Sequence, residues 1–375
     1  MYLKAAKEGE DMYEKELEKA QERLNAALTL SKQHPSEAIN MILDMEKWVD
    51  ENIDNETTEY YGVIIAYNEA MGDLSLRMKK YPEAEGFYKK MARMASKLYE
   101  TDKSKYDFRL ATAYCKLANN CATNIGCQGV PQTPRVLNEK MQRPFDAGEN
   151  FYKMAISLLQ ENCKKGSIRH LEIQARAINS LATMEAAVGK YKEALKMFDD
   201  SVRILKAIYQ TVDNKESGAF LGITLQNQAT VATLFKDAPK AQECLEDSIF
   251  VLKEHEEEDS IRAGVMIARN YMNLGGCMLF QKADLAEVDA VYDKATAKIS
   301  MVNAIAKGAA IPDEVSCYML AGQYYLKTER EEKGKEMLMH AKDLAEKGLE
   351  ADPNNAQFKN MVKHIDSLFS EEEKA

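Results

Sequence analysis

Strand-forming patterns are nearly absent from this chain, and so are long apolar runs: no stretch approaches the roughly 18 consecutive apolar residues of a membrane span. The opening Met1-Tyr2-Leu3-Lys4-Ala5-Ala6-Lys7-Glu8 has no apolar core of the kind a signal peptide needs. A cytoplasmic location without a membrane partner is the expectation. Basic excess is missing too. Lys and Arg number 50 against 60 Asp and Glu, a formal net charge of -10, which disfavours attraction to nucleic-acid phosphates or anionic lipid. The seven cysteines are an odd number, and Cys115, Cys163, Cys244, Cys277 and Cys317 lack paired spacing, which excludes a disulfide framework and fits a reducing compartment. Cys115, Cys121 and Cys127 recur every six residues, but six steps of about 100° put neighbours on different helix faces, so no metal site is expected.

Catalytic signatures are equally scarce. His34, His170, His255, His340 and His364 stand apart in the sequence, with no H-E-x-x-H and no nucleophile elbow. Gly126 to Gly129 has no preceding strand, and no phosphate loop follows the G-x-x-x-x-G-K pattern. The reading is a chain that is not an enzyme and carries no cofactor. The acidic run Glu254-His255-Glu256-Glu257-Glu258-Asp259 lacks the Gly and alternating ligand order of a calcium loop and reads as a solvated linker capping the next helix through Ser260.

What the chain does have is a repeat. The residue packed at the crossing of a first helix with its partner falls at Met71, Leu117, Leu181, Gln228, Leu274 and Ala321, at spacings of 46, 64, 47, 46 and 47. The stripe Leu181, Met184, Val188, Tyr191, Ala194, Leu195, Phe198, Val202 and Leu205 breaks only at Gly189-Lys190, as two antiparallel helices joined by a short turn require. Similar turns fall at Lys79 to Ala84 and Lys236 to Ala241. A fixed period of this size marks a solenoid in which no unit buries its apolar face alone. The expected fold class is all-α, a right-handed superhelical solenoid of six or seven antiparallel helix pairs.

Three segments follow. Residues 1 to 52 read as N-terminal capping helices, with a charged amphipathic helix over 3 to 30; residues 53 to 351 as the repeat array; and residues 352 to 375 as a capping helix, Ala356 to Phe369, with an acidic tail. The one long spacing marks an insertion at 123 to 144, which holds Gly126, Gly129, Pro131, Pro134 and Pro144. Pro35, Pro82 and Pro239 open second helices and Pro312 and Pro353 stand in linkers, so none of the eight prolines is expected inside a helix.

The hairpin resembles the tetratricopeptide repeat, through Tyr271-Met272-Asn273-Leu274-Gly275, Gly189-Lys190-Tyr191-Lys192-Glu193-Ala194 with Phe198, Lys80-Tyr81-Pro82-Glu83-Ala84 with Tyr88, and the closing Asp352-Pro353-Asn354-Asn355-Ala356. Gln228 departs from the usual Leu and Gly334 from the usual Ala. The standard unit has about 34 residues, so the longer period here gives each helix one to two extra turns. Such long-helix units are similar to those of kinesin light chains and of the peptide-regulated Rap proteins of Gram-positive bacteria, whose inner face holds a peptide or protein segment.

That resemblance implies that the first helices line a concave groove. Its polar positions include Glu69, Asp73, Cys115, Lys116, Thr183, Thr230 and Gln323, with Asn119, Arg176, Asn179, Gln226, Asn227, Arg269 and Asn273 as the preferred peptide- or protein-binding residues. Asn and Gln both donate to and accept from a peptide backbone, and Arg clamps a carboxylate bidentately. The plain alternative is that these side chains are a solvated face or satisfy backbone groups between helices. The family's chaperone-tail clamp is not matched, because Cys115 stands where a Lys should precede Asn119. The tyrosines Tyr60, Tyr61, Tyr67, Tyr81, Tyr88, Tyr324 and Tyr325 read as core. The expected function is an adaptor or regulatory sensor with a protein or peptide ligand. The alternatives are a Rap-like phosphatase acting on a response regulator, with Gln21 or Gln33 positioning a water, and a scaffold that self-associates.

Overall fold

Every residue that the repeat places at a helix crossing is buried. Met71, Leu117, Leu181, Gln228, Leu274 and Ala321 are all between 1% and 6% exposed. The structure is a computed structural model that describes residues 19, 22–23, 26–27, 29–30, 34–52, 57–211, 215–256, 260–308 and 310–372. Gln21, Gln33, most of the helix expected over 3 to 30, residues 257–259 of the acidic run and the end of the acidic tail lie outside those residues. Among the described residues there are helices and no strands: α1 (Pro35–Asn52), α2 (Thr58–Arg77), α3 (Tyr81–Thr101), α4 (Lys103–Asn124), α5 (Glu139–Lys164), α6 (Ile168–Ala187), α7 (Tyr191–Thr211), α8 (Lys215–Leu234), α9 (Ala238–Glu254), α10 (Ser260–Phe280), α11 (Leu285–Ile305), α12 (Ile311–Lys327), α13 (Glu331–Ala351) and α14 (Ala356–Glu372). They form adjacent antiparallel pairs, an all-α repeat architecture.

The chain divides into two compact units, residues 1–204 and 205–375. In the first, α2 pairs with α3 and α4 with α5, and the first helices α2, α4 and α6 lie side by side. In the second, α8 pairs with α9, α10 with α11 and α12 with α13, and α8, α10 and α12 adjoin in turn. Pairing depends on a small residue of the first helix facing a large one of the second. The Tyr88 ring sits so close over Gly72 that a Cβ there would lie 2.4 Å from it, and Tyr292 covers Gly275 in the same way at 2.6 Å. Only a residue without a side chain permits such an approach. Tyr67, Tyr88, Tyr324 and Tyr325 are buried core residues, while Tyr60, Tyr61 and Tyr81 are partly exposed at its margin.

All six first helices end alike. The second residue past the helix takes a positive φ at Lys79, Gly126, Gly189, Lys236, Lys282 and Glu329. In each case the next N–H reaches back five residues, as from Lys80 to Ser75 C=O at 2.8 Å, Asp237 to Ala232 C=O at 2.8 Å and Arg330 to Tyr325 C=O at 2.9 Å. This paired closure satisfies carbonyls that a helix end leaves open and reverses the chain in two residues. At the chain's far end Phe358 and Ile365 are buried against α12 and α13, with Met361 and Leu368 partly buried beside them.

The insertion is shorter than expected. Helix α4 runs to Asn124, and α5 already begins at Glu139 because Asn138 accepts hydrogen bonds from Lys140 N and Met141 N, a strong N-terminal cap. Pro144 therefore lies inside α5, correcting the expectation that no proline does; its cost is one backbone donor in the second turn. Residues 125–138 are also not loose. Ile125 and Cys127 are buried, Arg135 N donates to Ala187 C=O at 2.8 Å, and Pro134 packs on Gly189. The insertion is a strap fastened over the α6–α7 turn.

Candidate functional site

The polar residues of the first helices fall into two groups, each within one compact unit. In the first unit Lys116 on α4 reaches across to α2, where its Nζ lies 2.8 Å and 2.9 Å from the two oxygens of Asp73 and 3.0 Å from Glu69 Oε1. Tyr88 of α3 donates to the same Asp73 carboxylate at 2.7 Å. Partial burial alone would lower the Lys116 ammonium, but Asp73 and Glu69 outweigh it and raise it, so the lysine stays charged. Burial and the Asp73 charge likewise push the Tyr88 phenol up, which keeps it a donor.

One turn further along α4, the Asn119 side-chain carbonyl accepts from the Tyr152 hydroxyl of α5. Burial pushes the Tyr152 phenol up as well, so the amide is held by a neutral donor from behind. On α6, Arg176 is half-buried, Asn179 is 7% exposed, and Thr183 donates to the Asn179 backbone carbonyl at 2.9 Å. Cys115 sits among these groups, where burial pushes its thiol up to about 12; it is inert at neutral pH.

In the second unit Gln226 and Asn227 are half-buried on α8, and Asn273 is exposed on α10. Arg269 is engaged already: its Nε donates to Asp313 Oδ1 on α12 at 2.9 Å, and a second guanidinium N–H reaches the same oxygen. Asp313, at the start of α12, was not singled out from the sequence, although it stands 44 residues after Arg269, about one repeat. Tyr88 and Tyr152, which set the geometry in the first unit, sit in core stripes and carry no polar signal of their own.

Other asparagines pack. Asn68 donates to Ile64 C=O, Asn120 to Tyr81 C=O at 3.2 Å and the fully buried Asn270 to Ser248 Oγ at 2.8 Å. Asn120 and Asn270 thereby tie neighbouring helices together and Asn68 bonds back within its own, whereas Asn119 and Asn273 point outward enough to be part of a surface. No cluster of His, Cys, Asp or Glu fit to hold a metal ion occurs among the described residues. No described helix is long and apolar enough to cross a membrane.

Comparison with known proteins places the fold. No family model and no curated protein matches the chain. Among solved structures, the apo form of RapI superposes with a TM-score of 0.52 at 10% identity, covering 88% of this chain and 99% of that one. Aspartyl phosphate phosphatase F from Bacillus subtilis does so with a TM-score of 0.50 at 14% identity, covering 90% and 78%. At such identities the likeness is one of fold. The chain has a tetratricopeptide-like helical-repeat fold.

Proposed function

We propose that this protein is a protein- or peptide-binding adaptor or regulatory sensor, and that the first-helix faces of its two units carry the contacts. The observation behind this reading is the way the polar side chains are held. Lys116 is fixed between Glu69 and Asp73, Asn119 is fixed by Tyr152, and Arg269 is fixed by Asp313. Such side chains have surrendered their rotamer freedom before a ligand arrives, so a bound backbone need not supply that ordering cost. Asn119, Arg176 and Asn179 in the first unit, and Gln226, Asn227, Arg269 and Asn273 in the second, are the proposed contacts. A cytoplasmic setting suits this role.

The test is affinity capture from lysate of the host with the full chain, beside Arg176→Ala with Asn119→Ala in the first unit and Asn227→Ala with Asn273→Ala in the second. Titration calorimetry with the captured protein or its peptides follows. Loss of a partner in either double variant, with unchanged circular dichroism, supports the reading. Equal capture by the wild type and both variants sinks it and moves the contacts to the second helices, the strap or the ends.

A further inference from the structure

His170 stands alone in the sequence but not in the fold. It lies in the first turn of α6, where three helix ends meet, and is 9% exposed. Its Nε2 is 2.8 Å from Asp107 Oδ1, a residue of α4 that is itself 4% exposed. Its Nδ1 is 2.6 Å from Ser167 Oγ, and Ser167 is only partly buried. Asp107 is held in turn: Asn162 of α5 donates to Oδ2 at 2.7 Å, and Phe108 N donates to Oδ1 at 2.7 Å. In the neutral ring this carboxylate accepts from Nε2–H, which leaves Nδ1 as a lone pair facing the serine hydroxyl. The serine therefore donates to the ring.

The position of Ser167 adds a second feature. It is the N-cap of α6, yet its side chain makes no capping bond, unlike Thr57 of α2 and Asp102 of α4. The hydroxyl is committed to the imidazole instead. The first N–H groups of α6, those of Ile168 and Arg169, have no acceptor within the helix and surround the hydroxyl with positive potential. Close by, two guanidinium groups share the Phe108 ring: Arg169 lies 3.6 Å and Arg109 5.2 Å from its centroid, and the ring itself is edge-on to His170 at 6.1 Å. Neither arginine has a carboxylate partner among the described residues. Burial and the Arg109 charge together lower the Arg169 guanidinium.

We infer that Ser167, His170 and Asp107 form a serine-nucleophile site that hydrolyses carboxylic esters bearing a negative charge, beside and independent of the first-helix faces. Ser167 Oγ attacks the ester carbonyl carbon while His170 Nδ1 takes its proton. The carbonyl electron pair moves to oxygen, where the Ile168 and Arg169 N–H groups face it. Collapse re-forms the carbonyl and breaks the bond to the alcohol, which leaves with the proton from Nδ1. Water then attacks the acyl-serine, gives its proton to Nδ1, and releases the carboxylic acid as that proton returns to Ser167. The balance is ester plus water to acid plus alcohol. Asp107 and Asn162 are positioning residues, and Arg109 and Arg169 anchor the charge of the ester.

The experiment treats the full chain with an alkyl fluorophosphonate, maps the adduct by mass spectrometry, and follows hydrolysis of p-nitrophenyl hemisuccinate against p-nitrophenyl acetate. The expected result is one adduct, on Ser167, absent in Ser167→Ala. His170→Gln keeps an amide N–H for Asp107 but has no base, so it should hold the helix ends together while labelling falls by about 10²-fold or more. Asp107→Asn should shift the pH profile of labelling, which a merely structural role would not do. Removing both arginines as Arg109→Gln with Arg169→Gln should lower hemisuccinate hydrolysis by a larger factor than acetate hydrolysis. Absence of an adduct on Ser167 in the folded wild type, or unchanged labelling in His170→Gln, overturns the inference; equal effects on both esters overturn its charge preference.

Discussion

Two adjacent glycines of α10 should respond in opposite directions to the same substitution. Gly275 and Gly276 both have helical backbones, so replacing either by Ala gains about 1 kcal/mol of helix propensity, roughly a fivefold change in an opening equilibrium. A Cβ on Gly276 meets nothing within 4 Å, and the full gain should appear as stabilisation. A Cβ on Gly275 would lie 2.6 Å from Tyr292 Cε2 and 3.0 Å from two further ring atoms. Tyr292 has no room to retreat, being 6% exposed and stacked on Tyr324 with centroids 4.3 Å apart. Overpacking of this kind costs about 1–3 kcal/mol. Because the propensity gain is common to both variants, the difference between them isolates the clash, at about 1–3 kcal/mol. Native-state hydrogen exchange of peptides spanning α10 and α11 measures it, with protection rising in Gly276→Ala and falling in Gly275→Ala. The gap should close when both are made on a Tyr292→Leu background. Equal protection in the two single variants would refute the idea that ring-over-glycine contact sets the hairpin spacing.

Three further outcomes are expected. Lys236→Gly and Lys282→Gly relieve positive φ values of 65° and 60° and should each raise stability by up to about 1 kcal/mol in thermal denaturation; a lower Tm would contradict the turn geometry. Tyr88→Phe removes a donor to the Asp73 carboxylate and should cost about 1–2 kcal/mol in urea titrations, a loss largely absent on an Asp73→Asn background. Cys115 and Cys317 are pushed up to about 12 by burial from an ordinary 9.0, so they stay neutral in the folded chain where the unfolded chain ionises. Their contribution is complete below pH 9 and is lost between pH 9 and about 12, while that of Tyr292 and Tyr324, raised by burial from 10.0 to about 12, is lost between pH 10 and about 12. Denaturation midpoints at pH 8 and 10.5 should show the decline, and Cys115→Ala with Cys317→Ala should flatten it.

The hairpins were legible because each is a local event: an apolar stripe at helical spacing, a two-residue break, and a second stripe. The six crossing residues follow from that pattern, and all are buried. Local patterns are blind to a capping residue that begins a helix early, which is why Asn138 moved the start of α5 ahead of Pro144. They are blind as well to what a side chain finds in the next repeat. Lys116 with Asp73, Arg269 with Asp313, Lys206 with Asp247 and Arg330 with Asp289 are separated by 43, 44, 41 and 41 residues, close to one period. Oppositely charged residues offset by one period are thus a signal carried by the sequence, visible only when neighbouring repeats are compared. Asp107 and His170 are 63 residues apart, a separation stretched by the insertion, and only the Ser167-x-x-His170 half of that group is visible locally.

The closed turn after each first helix has an evolutionary consequence. In α4 the bond from Cys127 N–H to Ala122 C=O, 2.7 Å, completes the turn before the strap departs, so the array is already sealed at the point where extra sequence enters. The junction works as a splice point: a segment can be lengthened, exchanged or given a new binding motif there without altering the helix that precedes it. The same junction exists, unused, after Lys79, Lys236, Lys282 and Glu329. Grafted loops and reporter tags should be accepted at those four places, and natural relatives of this chain should vary most in length at the same junctions.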